Sequence, residues 1–218
     1  MFKKSFLSRF LLCFLLFFFF FAFSAHSYAE TVNTNLSNSF FRLHIIANSD
    51  SPEDQELKYL IRDELISYLN SLSTNISSKE EVIQIAKDHQ LDFQKIAEKI
   101  IQENGFSYPV SVEIGSFAFP TKNYGNISLP PGYYDSLKVS IGNASGQNWW
   151  CVMFPPLCFV DQSIGIVEEE SIEIIENSLP QEEYTLITST ESSSNIMTFK
   201  FKIVELIQNS NLFFDNSN

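Results

Sequence analysis

The sequence predicts an α+β fold, with two long helices packed on a mainly antiparallel sheet. Apolar and polar residues alternate over residues 41–48, which predicts a strand with one face in the core. Over residues 51–104 the apolar residues recur at three- and four-residue spacing, which predicts helices. The two-residue period returns over residues 110–154. This order of elements places both helices on one face of the sheet.

Two helix starts can be identified. Ser51 is a capping hydroxyl, Pro52 suits the first helical position, and two acids follow in the first turn, where the helix dipole favours negative charge. The Ser-x-x-Glu pattern at Ser78 begins a second, longer helix that ends at residues 104–105. The apolar stripe of the first helix consists of Leu57, Leu60, Ile61, Leu65, Tyr68, Leu69 and Leu72.

Strands are predicted again in the second half of the chain. They cover residues 110–115 and 133–141, and a hairpin loop at residues 143–147 leads into a strand that contains the Trp-Trp-Cys sequence. Proline cannot donate to a sheet ladder, so Pro155 and Pro156 end that strand.

The amino terminus has the three regions of an export signal. A basic stretch precedes an apolar run over residues 10–23, and small residues at Ser27 and Ala29 suit a signal peptidase. We therefore predict a signal peptide over residues 1–29, with cleavage between Ala29 and Glu30. An uncleaved membrane anchor is the alternative, although about 14 apolar residues fall short of the roughly 20 that a membrane-spanning helix needs.

The rest of the chain is predicted to form one domain with a tail. Residues 30–39 are polar and aperiodic, which predicts a flexible lead-in. Residues 40–162 form the α+β domain, and residues 163–218 form a solvated acidic tail rich in Ser and Asn. Within that tail, residues 197–208 could form a helix or a strand, because periodicity does not distinguish the two.

The charge of the chain restricts its partners. Removing the signal peptide takes away three of the 14 basic residues and none of the 26 acidic ones, which leaves a net charge of −15. Such a surface repels polyanions, because nucleic-acid binding rests largely on Lys and Arg that neutralise phosphates. Nucleic acid is therefore not an expected partner, and anionic lipid headgroups are disfavoured for the same reason.

The sequence contains no convincing catalytic or metal-binding set. Cys151 with His44 or His89 is the one pairing of a thiol with an imidazole, and nothing near Cys151 in the sequence would lower its pKa. The Cys and His spacing matches no zinc site, and neither a Gly-x-Ser-x-Gly motif nor a glycine-rich phosphate loop occurs. We therefore expect no catalytic residue, metal, cofactor or small-molecule substrate.

The most unusual segment, residues 148–159, is dense in aromatic residues and contains Cys151 and Cys158. An oxidising compartment could join these cysteines in a disulfide, and two buried free thiols are the alternative. One strand face cannot bury the whole segment, so we expect at least one of Trp149 and Trp150 to be exposed as an interface anchor. The alternative is that both rings are buried on opposite faces of a covered sheet.

Three segments of the chain carry a family resemblance. They are ANSDSPEDQELKYLIRDEL at residues 47–65, FPTKNYGNISLPPGYYDSLKVSIG at residues 119–142 and NWWCVMFPPLCFVD at residues 148–161. Together they resemble the stage II sporulation protein R family of endospore-forming bacteria, most specifically in the doubled Trp with Cys-x6-Cys. The resemblance covers about residues 40–162. The Phe-rich leader and the Ser- and Asn-rich end depart from the family pattern.

The resemblance implies a signalling protein that is made in the forespore and secreted into the space between the two septal membranes. There it would activate the membrane-embedded sigma-E processing peptidase of the mother cell, stage II sporulation protein GA, which cleaves pro-sigma-E. The family's signal is not known to be an enzyme. An exported hydrolase that acts on the cell wall or on a peptide is the alternative function, and a passive spore-envelope component is a third.

The resemblance does not identify the surface that contacts the peptidase. We predict that this surface contains Trp149, Trp150 and the turn at Pro155 and Pro156, with a polar loop beside them. That loop consists of Asn48, Ser49 and Asp50.

Overall fold

The computed structural model of the chain describes residues 2–72, 78–158, 167, 169–188, 202 and 204–206. Helices and strands occur in separate runs along the chain, which confirms the predicted α+β class. In chain order they are α1 (Phe2–Ser39), β1 (Phe41–Ile46), α2 (Pro52–Leu72), α3 (Lys79–Asp88), α4 (Gln90–Glu103), β2 (Val110–Phe119), β3 (Lys122–Tyr124), β4 (Ile127–Leu129), β5 (Gly132–Ile141), β6 (Asn148–Phe154), α5 (Glu169–Ser178) and α6 (Gln181–Thr188).

Four strands form one sheet in the order β2-β5-β1-β6. β1 pairs parallel with β5, whereas the β1–β6 and β2–β5 pairs are antiparallel. The parallel pair is possible because the helices and β2 separate β1 from β5 along the chain and provide the crossover. β3 and β4 form a separate antiparallel hairpin. The sheet is therefore mainly antiparallel, as predicted.

The two faces of the sheet have different chemistry. Leu43 and Ile45 of β1 are fully buried, and α2 and α3 lie against this strand while α4 packs against α2 and β2. Side chains alternate along a strand, so Arg42 and His44 project from the opposite face. The β3–β4 hairpin reaches that face through Tyr124, which contacts Arg42. One face is thus aliphatic and the other is cationic and aromatic.

The second predicted helix is two helices in the structure, so the prediction of one continuous helix is wrong. α3 ends at Asp88 and α4 begins at Gln90, with His89 as the cap between them. The His89 carbonyl accepts hydrogen bonds from the backbone N–H groups of Asp92 and Phe93, which starts the new helix. An acid in the first turn of α4 is a start signal that the continuous apolar spacing concealed.

The flexible lead-in predicted for residues 30–39 is also wrong, because these residues continue α1. Ala29, Val32, Leu36 and Phe40 lie three or four residues apart, and each is at most 1% exposed. They form one side of the helix and belong to the main hydrophobic core. Polar neighbours on the other sides of the helix hide this stripe in the sequence.

The amino-terminal part of α1 differs from its buried end. The large apolar side chains between Phe10 and Phe23 are exposed. By length and composition, the helix at Ser8–Ser39 is sufficient to cross a membrane. This exposed apolar helix fits a signal peptide, and cleavage between Ala29 and Glu30 stays a prediction.

The carboxyl-terminal region is packed over residues 169–188, so the prediction of a solvated tail is wrong there. α5 and α6 bury Ile175 and Leu186, each 1% exposed, within the main core. α6 lies against β4 and the end of α1. The apolar residues of these helices are spaced among so many acids that the sequence suggests solvent exposure.

The segment at residues 197–208, predicted as a helix or a strand, is described only at residues 202 and 204–206, which are helical. Val204 is fully buried, and the Thr121 hydroxyl bonds the Glu205 carboxylate at 3.2 Å. The helical alternative therefore holds for these residues. The rest of the segment, and residues 189–196, lie outside the described residues.

Candidate partner-binding site

The two adjacent tryptophans lie on β6, at one edge of the four-stranded sheet. Trp149 is opposite Ile45 and Trp150 is opposite His44 in the antiparallel pairing with β1. Because successive side chains alternate, the two indoles project from opposite faces. Each ring is half-buried. The rings lie on opposite faces, as the second alternative predicted, but neither ring is fully exposed or fully buried.

Trp149 lies on the helical face and packs against α2. The Tyr59 and Trp149 rings meet edge to face, with centroids 5.6 Å apart. The guanidinium of Arg62 lies 4.3 Å from the Trp149 centroid and 4.9 Å from that of Tyr59, which gives two cation–π contacts. Tyr59 is 40% exposed, so the group reaches the surface. We call Tyr59, Arg62 and Trp149 the surface cluster.

Trp150 lies on the other face, among buried rings. It stacks on His44 with centroids 3.6 Å apart and meets Phe119 edge to face at 4.7 Å. Phe119 is fully buried and His44 is 7% exposed. The guanidinium carbon of Arg42 lies 4.0 Å from the Phe119 centroid. We call this group the buried cluster; it consists of Arg42, His44, Phe119, Tyr124, Tyr134 and Trp150.

Arg42 places a positive charge in the interior, where it is fully buried. Its Nη2 donates to the Tyr124 hydroxyl at 2.8 Å, while Nε and Nη1 have no hydrogen-bond partner among the described residues. The rings of Phe119 and Tyr134 lie 4.0 and 4.7 Å from the guanidinium carbon. Burial raises the pKa of Tyr124 and of Tyr134, so both phenols stay protonated beside the charge. Aromatic faces and one phenol oxygen therefore stabilise this cation.

The buried cluster also changes the protonation of His44. Burial lowers the pKa of His44 to about 4, and the nearby charges of Lys138 and Arg42 act in the same direction. The hydrogen bond to Asn148, 2.8 Å from Nε2 to Oδ1, opposes this shift without reversing it. His44 is therefore neutral at pH 7 and contributes a flat apolar ring to the stack with Trp150.

The turn after β6 folds back along the strand. Cys151 and Cys158 form a disulfide, which confirms the predicted pairing. The Phe154–Pro155 peptide bond is cis, and the backbone N–H of Leu157 donates to the Val152 carbonyl at 3.0 Å. Pro155 is buried and Pro156 is half-buried, so this turn offers less free surface than the prediction required. Its contribution to partner binding stays a prediction.

The predicted polar loop at residues 48–50 forms hydrogen bonds to other parts of the protein. Asn48 Oδ1 accepts from the Asn143 backbone N–H at 3.0 Å, and Asp50 Oδ1 accepts from that of Gln147 at 2.6 Å. These bonds tie the β1–α2 loop to the β5–β6 loop. Gly142, with a positive φ of 57°, lies against the Asn48 side chain and leaves no room for a Cβ.

The buried carboxylate of Asp54 accepts hydrogen bonds from the same loop. Asp54 is 3% exposed and accepts hydrogen bonds from Ser49 Oγ at 2.5 Å and from Asn48 Nδ2 at 2.8 Å. Burial acts to raise the pKa of Asp54, but these hydrogen bonds outweigh it and lower the pKa. The side chains of Asn48 and Ser49 thus hold the loop in place through hydrogen bonds, while Asp50 beside them is exposed.

The residues that the sequence offered as catalytic candidates make structural contacts instead. The sulfur of Cys151 is bonded to Cys158, so it is not a free nucleophile. His89 bonds the Tyr68 hydroxyl at 2.9 Å and the Asp92 carboxylate at 3.0 Å at the junction of α3 and α4. Within the described ranges, no group of three or more His, Cys, Asp or Glu residues could hold a metal ion.

Comparison with known proteins places the chain in a family. The family model for stage II sporulation protein R matches residues 37–164. The chain belongs to this family. Stage II sporulation protein R of Bacillus subtilis (strain 168) is 36% identical over 176 residues, which cover 76% of this chain and 79% of that protein. No solved structure shows a significant match. This family member is therefore a sporulation protein.

Sequence reasoning missed the α2 half of the surface cluster. It placed Leu60 in the buried stripe, but Leu60 is 42% exposed, and it assigned no role to Tyr59 or Arg62. Tyr59 and Arg62 are three residues apart and so lie on one side of the helix. An aromatic residue and an arginine at this spacing, outside the main apolar stripe, were the pattern in the sequence that could have indicated this half of the cluster.

Proposed function

We propose that this family member is a secreted signalling protein of endospore formation that activates the membrane-embedded sigma-E processing peptidase, stage II sporulation protein GA. It acts in the intermembrane space of the septum after export from the forespore, and the activated peptidase cleaves pro-sigma-E. Family membership and the exposed apolar amino-terminal helix support export and a sporulation role. No catalytic step is assigned to this chain.

The surface cluster is the observation that carries the proposal. Trp, Tyr and Arg are the residue types that dominate the binding energy of protein interfaces. Here Trp149 is half-buried, Tyr59 is exposed, and Arg62 contacts both rings. An aromatic group at the surface of a secreted sporulation protein is what a receptor would recognise.

The scaffold holds the surface cluster in one arrangement. Cys151 projects from the same face as Trp149, two residues away, and its disulfide fixes the carboxyl-terminal end of β6. At the other end, the Lys58 ammonium donates to the Gln147 carbonyl at 3.2 Å, which ties α2 to the start of β6. A preorganised surface loses little conformational entropy when it binds. Preferential binding to the active state of the peptidase would then shift its equilibrium toward that state.

The proposal is tested by coexpression in non-sporulating cells. Cells produce this chain, the peptidase and pro-sigma-E in all combinations, and cleavage of pro-sigma-E is measured by immunoblot. We expect cleavage when all three are present and none when this chain is omitted. Cleavage of equal extent without this chain, or no cleavage with it, would contradict the proposed function.

The same assay tests the site with a matched pair of variants. Trp149→Ala removes the anchor and is expected to reduce cleavage at least tenfold. Leu91→Ala changes a residue of α4 that is 70% exposed and remote in sequence from the cluster, and it should leave cleavage unchanged. Equal cleavage by both variants would remove the surface cluster from the binding site while leaving the proposed function in place.

A further inference from the structure

An exposed apolar pair extends the surface cluster along α2. Tyr59 and Leu60 are 40% and 42% exposed. Outside α1, they are the one pair of sequence neighbours among the exposed large apolar residues of the described chain. Trp149 of β6 packs edge to face on Tyr59, so the exposed apolar pair on α2 adjoins the tryptophan at the edge of the sheet. Patches of this kind on a soluble domain mark interaction sites.

Acidic residues surround this patch on α2. Glu53, Glu56, Asp63 and Glu64 are all exposed. Residues three and four apart are neighbours on a helix, so Glu56 and Asp63 flank Tyr59, and Glu56, Asp63 and Glu64 flank Leu60.

The cations near the patch do not balance these acids. Arg62 is held by Asp63, with 2.6 Å between Nη2 and Oδ1, and by the two rings it covers. Lys58 is 1% exposed, and its ammonium donates to Gln55 Oε1 at 2.6 Å. The exposed rim is therefore negative around an apolar centre.

We propose that this acidic-rimmed patch binds a basic segment of its partner that inserts an apolar or aromatic side chain between Tyr59, Leu60 and Trp149. The proposal rests on the proposed function, and the partner segment is then an extracytoplasmic part of the peptidase. Lys and Arg of the segment pair with Glu56 and Glu64, while the inserted side chain supplies the desolvated centre of the interface.

Charge complementarity selects this occupant over the others. A second copy of this chain would bring Glu56 and Glu64 against the same two acids, and like charges across an interface are destabilising. An anionic membrane surface is repelled for the same reason. A basic protein segment is attracted by the rim and also fills the apolar centre.

Two variants test the apolar and the electrostatic parts separately in the coexpression assay. Tyr59→Ala with Leu60→Ala removes the centre, and Glu56→Lys with Glu64→Lys reverses the rim. Each pair is expected to reduce pro-sigma-E cleavage at least tenfold. The rim variant changes exposed residues, so it reports on binding even if the apolar variant folds poorly. Circular dichroism and the thermal unfolding midpoint of each purified variant show whether that variant is folded.

Matched controls keep the same chemical changes away from the patch. Leu91→Ala removes an exposed apolar residue, and Asp88→Lys with Glu103→Lys reverses two exposed acids at the carboxyl-terminal ends of α3 and α4, where positive charge suits the helix dipole. Both controls are expected to retain wild-type cleavage. Loss of cleavage in the acid-reversal control would mean that net charge, and not the patch, sets activity, and it would overturn the inference.

The outcomes separate this inference from the proposed function. Wild-type cleavage together with normal cleavage by both patch variants overturns the inference and leaves the proposed function intact. No cleavage with the wild-type chain overturns both. Co-purification of the wild-type chain with the peptidase should also weaken as NaCl rises from low to high concentration, because the rim pairs are solvent-exposed. Binding that does not respond to salt would contradict the electrostatic part.

Discussion

Trp149 and Trp150 are chemically identical neighbours, yet the protein uses them in different ways. Trp149 packs on an exposed tyrosine and an arginine of α2, at the edge of an acidic surface. Trp150 stacks on a neutral, nearly buried His44 and contacts a fully buried Phe119. The difference follows from strand alternation alone, since one residue of register decides which face each indole joins. The doubled tryptophan therefore packs among buried rings on one face and borders the surface proposed for recognition on the other.

The two faces should differ most in the unfolding free energy that is lost when the tryptophan on each face is replaced. Trp150→Ala leaves a void among buried rings that cannot relax fully, and it should cost about 3 kcal/mol of unfolding free energy. Trp149→Ala should cost about 1 kcal/mol, because the Tyr59 ring on which it packs is exposed and because its buried indole N–H, which has no partner among the described residues, disappears with it. Urea denaturation of the purified variants measures both. Equal losses would show that the two faces do not differ in their contribution to stability.

The pH dependence of stability should come from the Trp150 face. The pKa of His44 is about 4 in the folded protein and 6.5 when unperturbed, so folding favours the neutral ring. Stability from this group is complete above pH 6.5 and is lost as the pH falls toward 4, by about 3 kcal/mol at most. His44→Gln should remove this contribution.

The measurement is the unfolding free energy at pH 7 and at pH 4 for the wild type and His44→Gln. Carboxylates titrate in the same interval in both proteins, so the difference between their two pH responses isolates His44. An identical pH response in the two proteins would contradict the buried, neutral assignment.

The disulfide should contribute to stability and to the activity of the face that carries Trp149. Replacing Cys151 and Cys158 together by Ser opens a short loop, and the chain-entropy estimate for its closure is roughly 2.5 kcal/mol. The loss should appear as lower stability and as reduced pro-sigma-E cleavage, because the end of β6 is no longer fixed beside Trp149. The matched control is the fully oxidised wild type, with free thiols measured under denaturing conditions. Unchanged cleavage would show that the surface cluster does not depend on this constraint.

The smallest effect is expected for Arg42, although it is the largest fully buried side chain. Its charge has no carboxylate partner among the described residues, and replacement of buried ions by apolar residues of similar volume is often neutral. Arg42→Met should therefore change the unfolding free energy by about 1 kcal/mol or less. Arg42→Ala, which also removes the packing, should cost more than that. A large loss in Arg42→Met would mean that the cation–π contacts stabilise the charge beyond its desolvation cost.

The sequence was sufficient for the parts of the fold in which local patterns agree. Ser51 and Pro52 marked the start of α2 to within one residue, and the alternation of β1 and β6 placed the tryptophans on one strand. The even pair of cysteines and the predicted export signal indicated the disulfide, with free thiols as the alternative, and the structure has the disulfide. These features depend on residues close together in sequence, and short-range chemistry determines them.

The errors arose where long-range packing determines the structure. Leu36 is buried only because α1 meets the sheet and α6, and no pattern within residues 30–39 indicates those partners. Arg42 was expected on the polar side of a strand, but the β3–β4 hairpin covers it. The surface cluster joins Tyr59 to Trp149 across 90 positions, a contact that one sequence without an alignment does not contain.

α1 passes without interruption from its membrane-compatible segment into the core, which imposes an order on the biogenesis of the protein. The predicted cleavage point follows Ala29, a residue with no accessible surface in the folded domain. If cleavage occurs there, it must precede the packing of residues 30–39 on the domain, because a protease cannot reach a buried peptide bond. The ten residues 30–39 that remain are about three turns, too short to stay helical alone in water. In the cleaved chain this short helix would therefore form only as it packs on the domain.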